Sequence, residues 1–374
     1  MTENPGILLT IFAFLLTIGV LVFIHEMGHY LVGRWCGVKA ETFSIGFGKE
    51  IAGWNDKRGT RWKIGALPLG GYVQFAGDMD PASKPSDEWL KLPAEERNRT
   101  FQSKSLWQRA AIVVAGPAIN FLFAILILAG FALAYGENVA PPIVGTVAES
   151  STAETIGLQN GDKIIEIDGD SINRFSDLAR KISIIPDEQV EIKFERDGSV
   201  ITKEATIGVR IEKDRFDNEY RIGLLGVSPS IMELRDVPVW EAPIVATRQT
   251  GEIVDLIVTT LGQVISGRRS VTELGGPLKI AQVSGEQFVA GLSQFIFFVA
   301  LISINLGFIN LLPIPMLDGG HLMFYAIEAV RRKPASPMIQ EWAFRSGFAL
   351  VVMFMLVVTF NDLASFGLFR MVSG

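Results

Sequence analysis

The stretch Phe23-Ile24-His25-Glu26-Met27-Gly28-His29 lies inside an apolar run over residues 6–33. A run of that length and composition reads as a bilayer-spanning helix. Residues four apart share a helix face, so His25 and His29 stand one above the other, with Glu26 beside the first. Ionisable groups near the centre of a span cost roughly 2.5–3.5 kcal/mol each, so something must compensate them. A divalent metal does so directly, because it takes neutral imidazole and carboxylate as ligands. The competing reading, a pair of satisfied core histidines, needs partners that hydrocarbon does not supply.

Working outward, the 374 residues leave room for two or three compact units, and 49% hydrophobic content points to a membrane protein. The apolar residues are clustered, with further runs at 110–135, 292–313 and 348–360, the last short for a span. The first run follows Thr2-Glu3-Asn4, has no basic head and is not followed by a small-residue cleavage site, so it reads as a retained helix. A net charge of -6, with no basic stripe interleaved with aromatics, argues against a nucleic-acid partner. The single cysteine, Cys36, excludes an internal disulfide and a cysteine-rich metal site.

Lys and Arg flank the runs unevenly. Arg34, Lys39 and Lys49 follow the first, Arg97, Arg99, Lys104 and Arg109 precede the second, and Arg331, Arg332 and Lys333 follow the third. These ends are expected on the cytoplasmic side. No Lys or Arg precedes the first run or lies between Tyr135 and Lys163, so those ends are expected outside.

Between the first two runs, residues 42–78 are rich in glycine and alternate apolar with polar or small residues, which predicts kinked β-hairpins. Residues 81–99, with Pro81, Pro85, Pro93 and mixed charges, read as a solvated connector. Residues 141–230 are soluble in composition, with strand-like runs at Lys163–Ile167 and Val190–Phe194 and hairpin signals at Asp168-Gly169 and Asp197-Gly198. A helical pattern over 176–185 opens at Ser176 as a candidate cap. Residues 237–267 space Trp240, Ile244, Ile253, Leu256, Ile257 and Leu261 as an amphipathic helix lying on the membrane surface or against the spans.

A zinc held by His25 and His29 needs a third protein ligand and an open position for water. The remaining histidine, His321, sits beside Asn310-Leu311-Leu312-Pro313-Ile314-Pro315-Met316-Leu317-Asp318-Gly319-Gly320. Asp318 is the better candidate: the prolines break the helix before it and the glycines free the backbone after it. The alternative is a plain helix-terminating loop.

His25-Glu26-x-x-His29 and Leu317-Asp318-Gly319 on separate spans resemble the paired motifs of the site-two protease family of intramembrane zinc metalloproteases. Pro68-Leu69-Gly70-Gly71-Tyr72-Val73, Lys104-Ser105-Leu106-Trp107-Gln108-Arg109 and Ala115-Gly116-Pro117-Ala118-Ile119-Asn120-Phe121 resemble its bacterial regulator-of-sigma-E protease branch. The resemblance implies one Zn(2+) per chain on His25, His29 and Asp318, with Glu26 as general base. It also implies substrate-binding positions at Asn310, Gly70, Gly71 and Tyr72. Helix-end capping is the other reading of Asn310, and a hairpin that only supports the spans is the other reading of the glycine-rich strands.

Val144-Gly145-Thr146-Val147 and residues 157–169 resemble a permuted bacterial PDZ domain, present once where the best-known relative carries two. Such a domain either binds a peptide or protein segment by strand addition or acts as a size filter.

The expected fold is a mainly α-helical polytopic membrane protein of about four transmembrane helices, with a membrane-associated β-hairpin region and an inserted α+β PDZ-like domain. Four regions are expected. Residues 1–136 form an N-terminal membrane core, and 137–230 a periplasmic PDZ-like domain. Residues 231–290 form an amphipathic juxtamembrane helical region, and 291–374 a C-terminal membrane core. The implied function is intramembrane endopeptidase action on transmembrane segments of single-span proteins, such as an anti-sigma factor. The implied location is the bacterial inner membrane, in contact with lipid, with the zinc site near the cytoplasmic side. Two rivals remain: a non-enzymatic PDZ-bearing adaptor with a structural metal site, and a metal-ion transporter, which predicts a path of acidic or histidine residues rather than one compact cluster.

Overall fold

The computed structural model describes residues 5–77, 92–183, 185–213, 219–230, 233–266 and 275–365. The chain divides into two compact units, the first made of residues 1–129, 245–259 and 271–374, the second of 130–244 and 260–270. Among the described residues four helices are long and apolar enough to cross a membrane: Ile7–Trp35, Leu106–Tyr135, Leu292–Leu311 and Pro337–Leu363.

In chain order, α1 (Ile7–Trp35) leads into β1 (Ala40–Asn55) and β2 (Arg61–Phe75), and a short α2 (Ala94–Arg97) precedes α3 (Leu106–Tyr135). The connector expected over residues 81–99 lies outside the described residues as far as residue 91. Ile7, Leu8, Ile11 and Phe12 are exposed on α1, as an apolar helix in lipid requires.

β1 and β2 pair antiparallel, from Ala40 opposite Phe75 to Asn55 opposite Arg61. Phe43, Ser44 and Ile45 also face Trp62, Lys63 and Ile64, so this part of β1 is bonded along both edges and the hairpin folds back on itself. Gly46 and Gly70, at φ 86° and 100°, allow the bends. Phe43 stacks on Trp62 with centroids 4.3 Å apart, and Tyr30 of α1 meets both rings edge-on. Val38, Ala40, Phe43 and Phe75 share a core with Tyr30 of α1 and Ile112 of α3, which fixes the β-region to the two helices.

The second unit is built from β3 (Glu137–Val139), β4 (Val144–Val147), α4 (Thr152–Thr155), β5 (Lys163–Ile167), β6 (Asp170–Ser171) and α5 (Phe175–Ser183). It continues through β7 (Gln189–Arg196), β8 (Ser199–Thr206), β9 (Gly208–Lys213), β10 (Glu219–Leu224), β11 (Val227–Pro229) and β12 (Glu233–Arg235). Its main sheet has the order β6-β5-β7-β8, flanked by the pairs β9/β10, β4/β11 and β3/β12. Both expected turns form: Asp168-Gly169 joins β5 to β6 and Asp197-Gly198 joins β7 to β8, all four residues at positive φ. Two positive φ angles match the right-handed strand twist across a two-residue turn.

The period-2 pattern of β7 buries Val190, Ile192 and Phe194 with Ile164, Ile167, Leu178 and Ile182. Each such side chain stabilises by roughly 1.5–3 kcal/mol. One expectation needs correction: α5 begins at Phe175, so Ser176 lies within its first turn and does not cap it. Just ahead of the helix, the Arg174 guanidinium is held by the buried Glu137 carboxylate at 2.7 Å.

After this unit come α6 (Ala242–Ile265), α7 (Pro277–Ala290), α8 (Leu292–Leu311), α9 (Asp318–Arg331) and α10 (Pro337–Ser365). Within the first unit, Ala246 of α6 is buried with Ala124 and Leu128 of α3 and Ala300 and Ile304 of α8. The amphipathic helix thus rests against the spans. α7 lies on α1, so close that a Cβ on Gly285 would come within 2.7 Å of Thr10 Oγ1. Its N-terminal amides at Gly276 and Lys279 donate to the buried Asp362 carboxylate of α10, each at 3.1 Å. The fourth span is longer than the apolar run 348–360 suggests, because its first turns carry the Glu341–Arg345 ion pair on helical spacing and read as polar.

Candidate metal centre

His25, Glu26 and His29 project from one stretch of α1, and the first two are buried. The third element arrives where α8 ends. Leu311 closes that helix, Pro313 and Pro315 keep the next residues extended or turned, and Met316 adopts φ 94° before Asp318 opens α9. Gly319 and Gly320 do not free the backbone, as the sequence suggested; both are helical and buried. A Cβ on Gly319 would lie 2.2 Å from the Leu312 carbonyl oxygen, and one on Gly320 2.5 Å from that of Ile314. Their role is to let α9 fold tightly onto the broken segment and so bring Asp318 inward.

Asp318 Oδ2 lies 3.1 Å from His25 Nε2 and 3.5 Å from His29 Nε2. The two Nε2 atoms are 3.2 Å apart. Asp318 Oδ2 is buried and accepts no hydrogen bond among the described residues, so its lone pairs are left facing the two imidazoles. Two nitrogens each about 2.0–2.1 Å from a tetrahedral zinc stand about 3.3 Å apart. The donor set and its spacing therefore fit zinc. His321 is not part of this cluster; it is half-buried and lies against the Phe344 ring, with centroids 5.0 Å apart.

α3 supplies the cluster's floor. His29 Nδ1 donates to the Ile112 carbonyl at 2.8 Å, and since a carbonyl only accepts, His29 Nε2 keeps its lone pair toward the cluster. His25 Nδ1 lies 3.0 Å from the side-chain amide of Asn120. A Cβ on Gly116 would fall 2.2 Å from His29 Nε2 and 2.9 Å from His25 Cε1, so a glycine is required under the two rings. Gly28 of α1 faces the Ala115 carbonyl oxygen, which a Cβ would approach to 2.3 Å. Sequence reasoning assigned no site role to Gly116 or Asn120. The signal was an asparagine inside a nearly unbroken apolar run.

The residues expected to meet substrate are placed unequally. Gly71 lies over α1, where a Cβ would be 2.6 Å from Val22 Cγ1 and 3.1 Å from Glu26 Cγ. Gly70 supplies the bend before it. Tyr72 stacks on Phe47 with centroids 5.8 Å apart and carries Lys63 Nζ over its ring at 4.9 Å. Asn310 lies in the last turn of α8, half-buried, with no side-chain hydrogen bond among the described residues.

A model of peptidase family M50 matches residues 13–354. The chain is 43% identical over 359 residues to the "Putative zinc metalloprotease Atu1380" of Agrobacterium fabrum, covering 94% of this chain and 95% of the relative. It is 34% identical over 395 residues to Metalloprotease MmpA of Caulobacter vibrioides, covering 99% of each. A quarter of the chain (25%) aligns with 90% of the PDZ domain of an SdrC-like protein from Listeria monocytogenes, at 17% identity and a TM-score of 0.20. Four helices apolar enough to cross a membrane and a family match over most of the chain define a membrane metalloprotease, and the chain belongs to peptidase family M50, the site-two protease family.

Proposed function

We propose that the protein is an intramembrane zinc endopeptidase that cleaves transmembrane segments of single-span proteins. The metal ligands are His25, His29 and Asp318, and Glu26 is the general base. One observation carries the reading: among the described residues His25, His29 and Asp318 place one ligand atom each within 4.8 Å of one another. When bound, zinc supplies the Lewis acidity that activates water and polarises the scissile carbonyl. Glu26, one residue after the first ligand, takes the proton from the attacking water on its carboxylate and returns it to the leaving amine.

A helical substrate must unwind before its peptide bond can be attacked, and the amides it exposes in lipid need new partners. The β2 stretch Gly70-Gly71-Tyr72 beside Glu26 is suited to take the unwound segment as an added strand, with Asn310 offering a side-chain amide unpaired among the described residues near the end of α8. Basic residues near the His29 end of α1 and at the start of α3 favour a cytoplasmic location for the zinc and a periplasmic one for the second unit, in the bacterial inner membrane. That unit acts as a PDZ-like recognition or size-filtering domain, and an anti-sigma factor is a substrate of the right kind.

Cleavage of a reporter transmembrane segment by the intact protein, by Glu26→Gln and by Asp318→Asn, read together with zinc content, tests this. Glu26→Gln is expected to keep its zinc and lose at least about 100-fold in rate. Asp318→Asn is expected to lose both. Undiminished cleavage by Glu26→Gln refutes the mechanism.

A further inference from the structure

Asn120 is wholly buried in α3, and the two ends of its side chain are treated differently. Nδ2 lies 3.0 Å from His25 Nδ1, whereas Oδ1 is buried without a hydrogen-bond partner among the described residues. The amide ends have nearly the same shape and exchange by a half-turn of the terminal torsion. With Nδ2 toward the ring, His25 Nδ1 has to accept, and the ring proton sits on Nε2. That is the atom facing His29 Nε2 and Asp318 Oδ2, and a protonated Nε2 cannot bind a metal. With Oδ1 toward the ring, Nδ1–H donates to it and the Nε2 lone pair points into the cluster. Either orientation leaves one amide end unpaired. Without metal the first gains a bond from His25 Nε2–H to His29 Nε2 at 3.2 Å; with metal the second is required, because only it presents both Nε2 lone pairs to the ion.

We propose that Asn120 is the positioning residue for His25, accepting its Nδ1–H through Oδ1 and holding the tautomer that ligates zinc; this rests on the zinc reading above. The Ile112 carbonyl does the same for His29, so α3 orients both imidazoles. A third helix fixes the height of Asn120: Ser303 Oγ of α8 donates to the Asn120 carbonyl at 2.8 Å, with both residues fully buried. The order of contacts is Ser303, Asn120, His25, Asp318, which runs from α8 through α3 and α1 to α9 and ties together the two sequence motifs that build the site.

Zinc affinity of the full-length protein, measured by chelator competition, and the visible absorption of its cobalt-substituted form test the proposal. The variants are Asn120→Ala, Asn120→Asp and, as reference, His25→Ala, with circular dichroism of the metal-free forms reporting folding. Asn120→Ala is expected to weaken zinc binding about 10- to 100-fold and shift the cobalt bands. Asn120→Asp, whose carboxylate can only accept, is expected to restore affinity and bands close to wild type. Should Asn120→Asp fold and bind as poorly as Asn120→Ala, the amide donates to His25 and the proposal is overturned. Unchanged affinity in Asn120→Ala overturns it as well. If Asn120→Ala does not fold, Asn120→Asp against wild type decides by the same criterion. Zinc retained in full by His25→Ala is a separate outcome that removes the zinc reading itself.

Discussion

His25 Nε2 and Asp318 Oδ2 stand 3.1 Å apart, although one lies in the first span and the other opens a helix beyond the third. Bringing them together takes three devices. Gly28 and Gly116 let α1 and α3 touch, the prolines end α8 early, and Gly319 and Gly320 let α9 fold against the break. The site is thus set by places where side chains are absent as much as by the ligands.

Gly116→Ala tests the approach beneath the two imidazoles. Its methyl would lie 2.2 Å from His29 Nε2, and both ring and helix are held from the other side by the Ile112 hydrogen bond. The expected result is a loss of about 1–3 kcal/mol in stability together with weakened zinc binding, read by thermal melting and metal analysis. Full zinc content in this variant would mean that His29 has room to move.

Gly71→Ala separates substrate geometry from metal binding. The new Cβ would meet Val22 Cγ1 at 2.6 Å and Glu26 Cγ at 3.1 Å, displacing β2 or the base, while no proposed ligand is touched. Cleavage should fall by about 100-fold, the cost of roughly 1 Å of misplacement at a reacting group, with zinc content unchanged. Equal losses of zinc and rate would instead make β2 part of the metal site's support.

The two motifs, the four spans and both Asp-Gly hairpins were legible because each is written in local spacing: four residues along a helix, two along a strand, two in a turn. Other features depend on elements distant in sequence. Alternation in β1 shows which residues face inward but not that Phe43 to Ile45 pair along both edges, since pairing partners of glycine-rich strands are weakly specified. Asn120 looked like any polar residue in a span until α1 lay across it. Gly319 and Gly320 read as chain-loosening after two prolines, yet their helical geometry shows that they admit carbonyl oxygens of the preceding segment. The start of α10 was hidden because Glu341 and Arg345 satisfy each other on the helix surface.

In the second unit, Asp162 is almost fully buried and holds Arg196 through two bonds of 2.7 Å. Burial alone pushes its carboxyl up, but the Arg196 guanidinium and the Gln159 amide outweigh that and hold it below the usual carboxylate range. A carboxyl with a depressed folded pKa stabilises above its unfolded value of about 3.9 and loses that contribution as pH falls through the folded value. The protection factors of this unit's amides in the full chain should therefore fall below about pH 4. Asp162→Asn should exchange faster at neutral pH and show a smaller acid dependence. An unchanged acid profile in that variant would mean that other carboxyls govern the loss.

The central claim is that His25, His29 and Asp318 together hold the metal. Metal analysis of the purified full-length protein tests it most directly. The expected content is about one zinc per chain in the wild type and in Glu26→Gln, and below about a tenth of that in His25→Ala and Asp318→Ala. A folded Asp318→Ala protein that keeps its zinc in full would contradict the account.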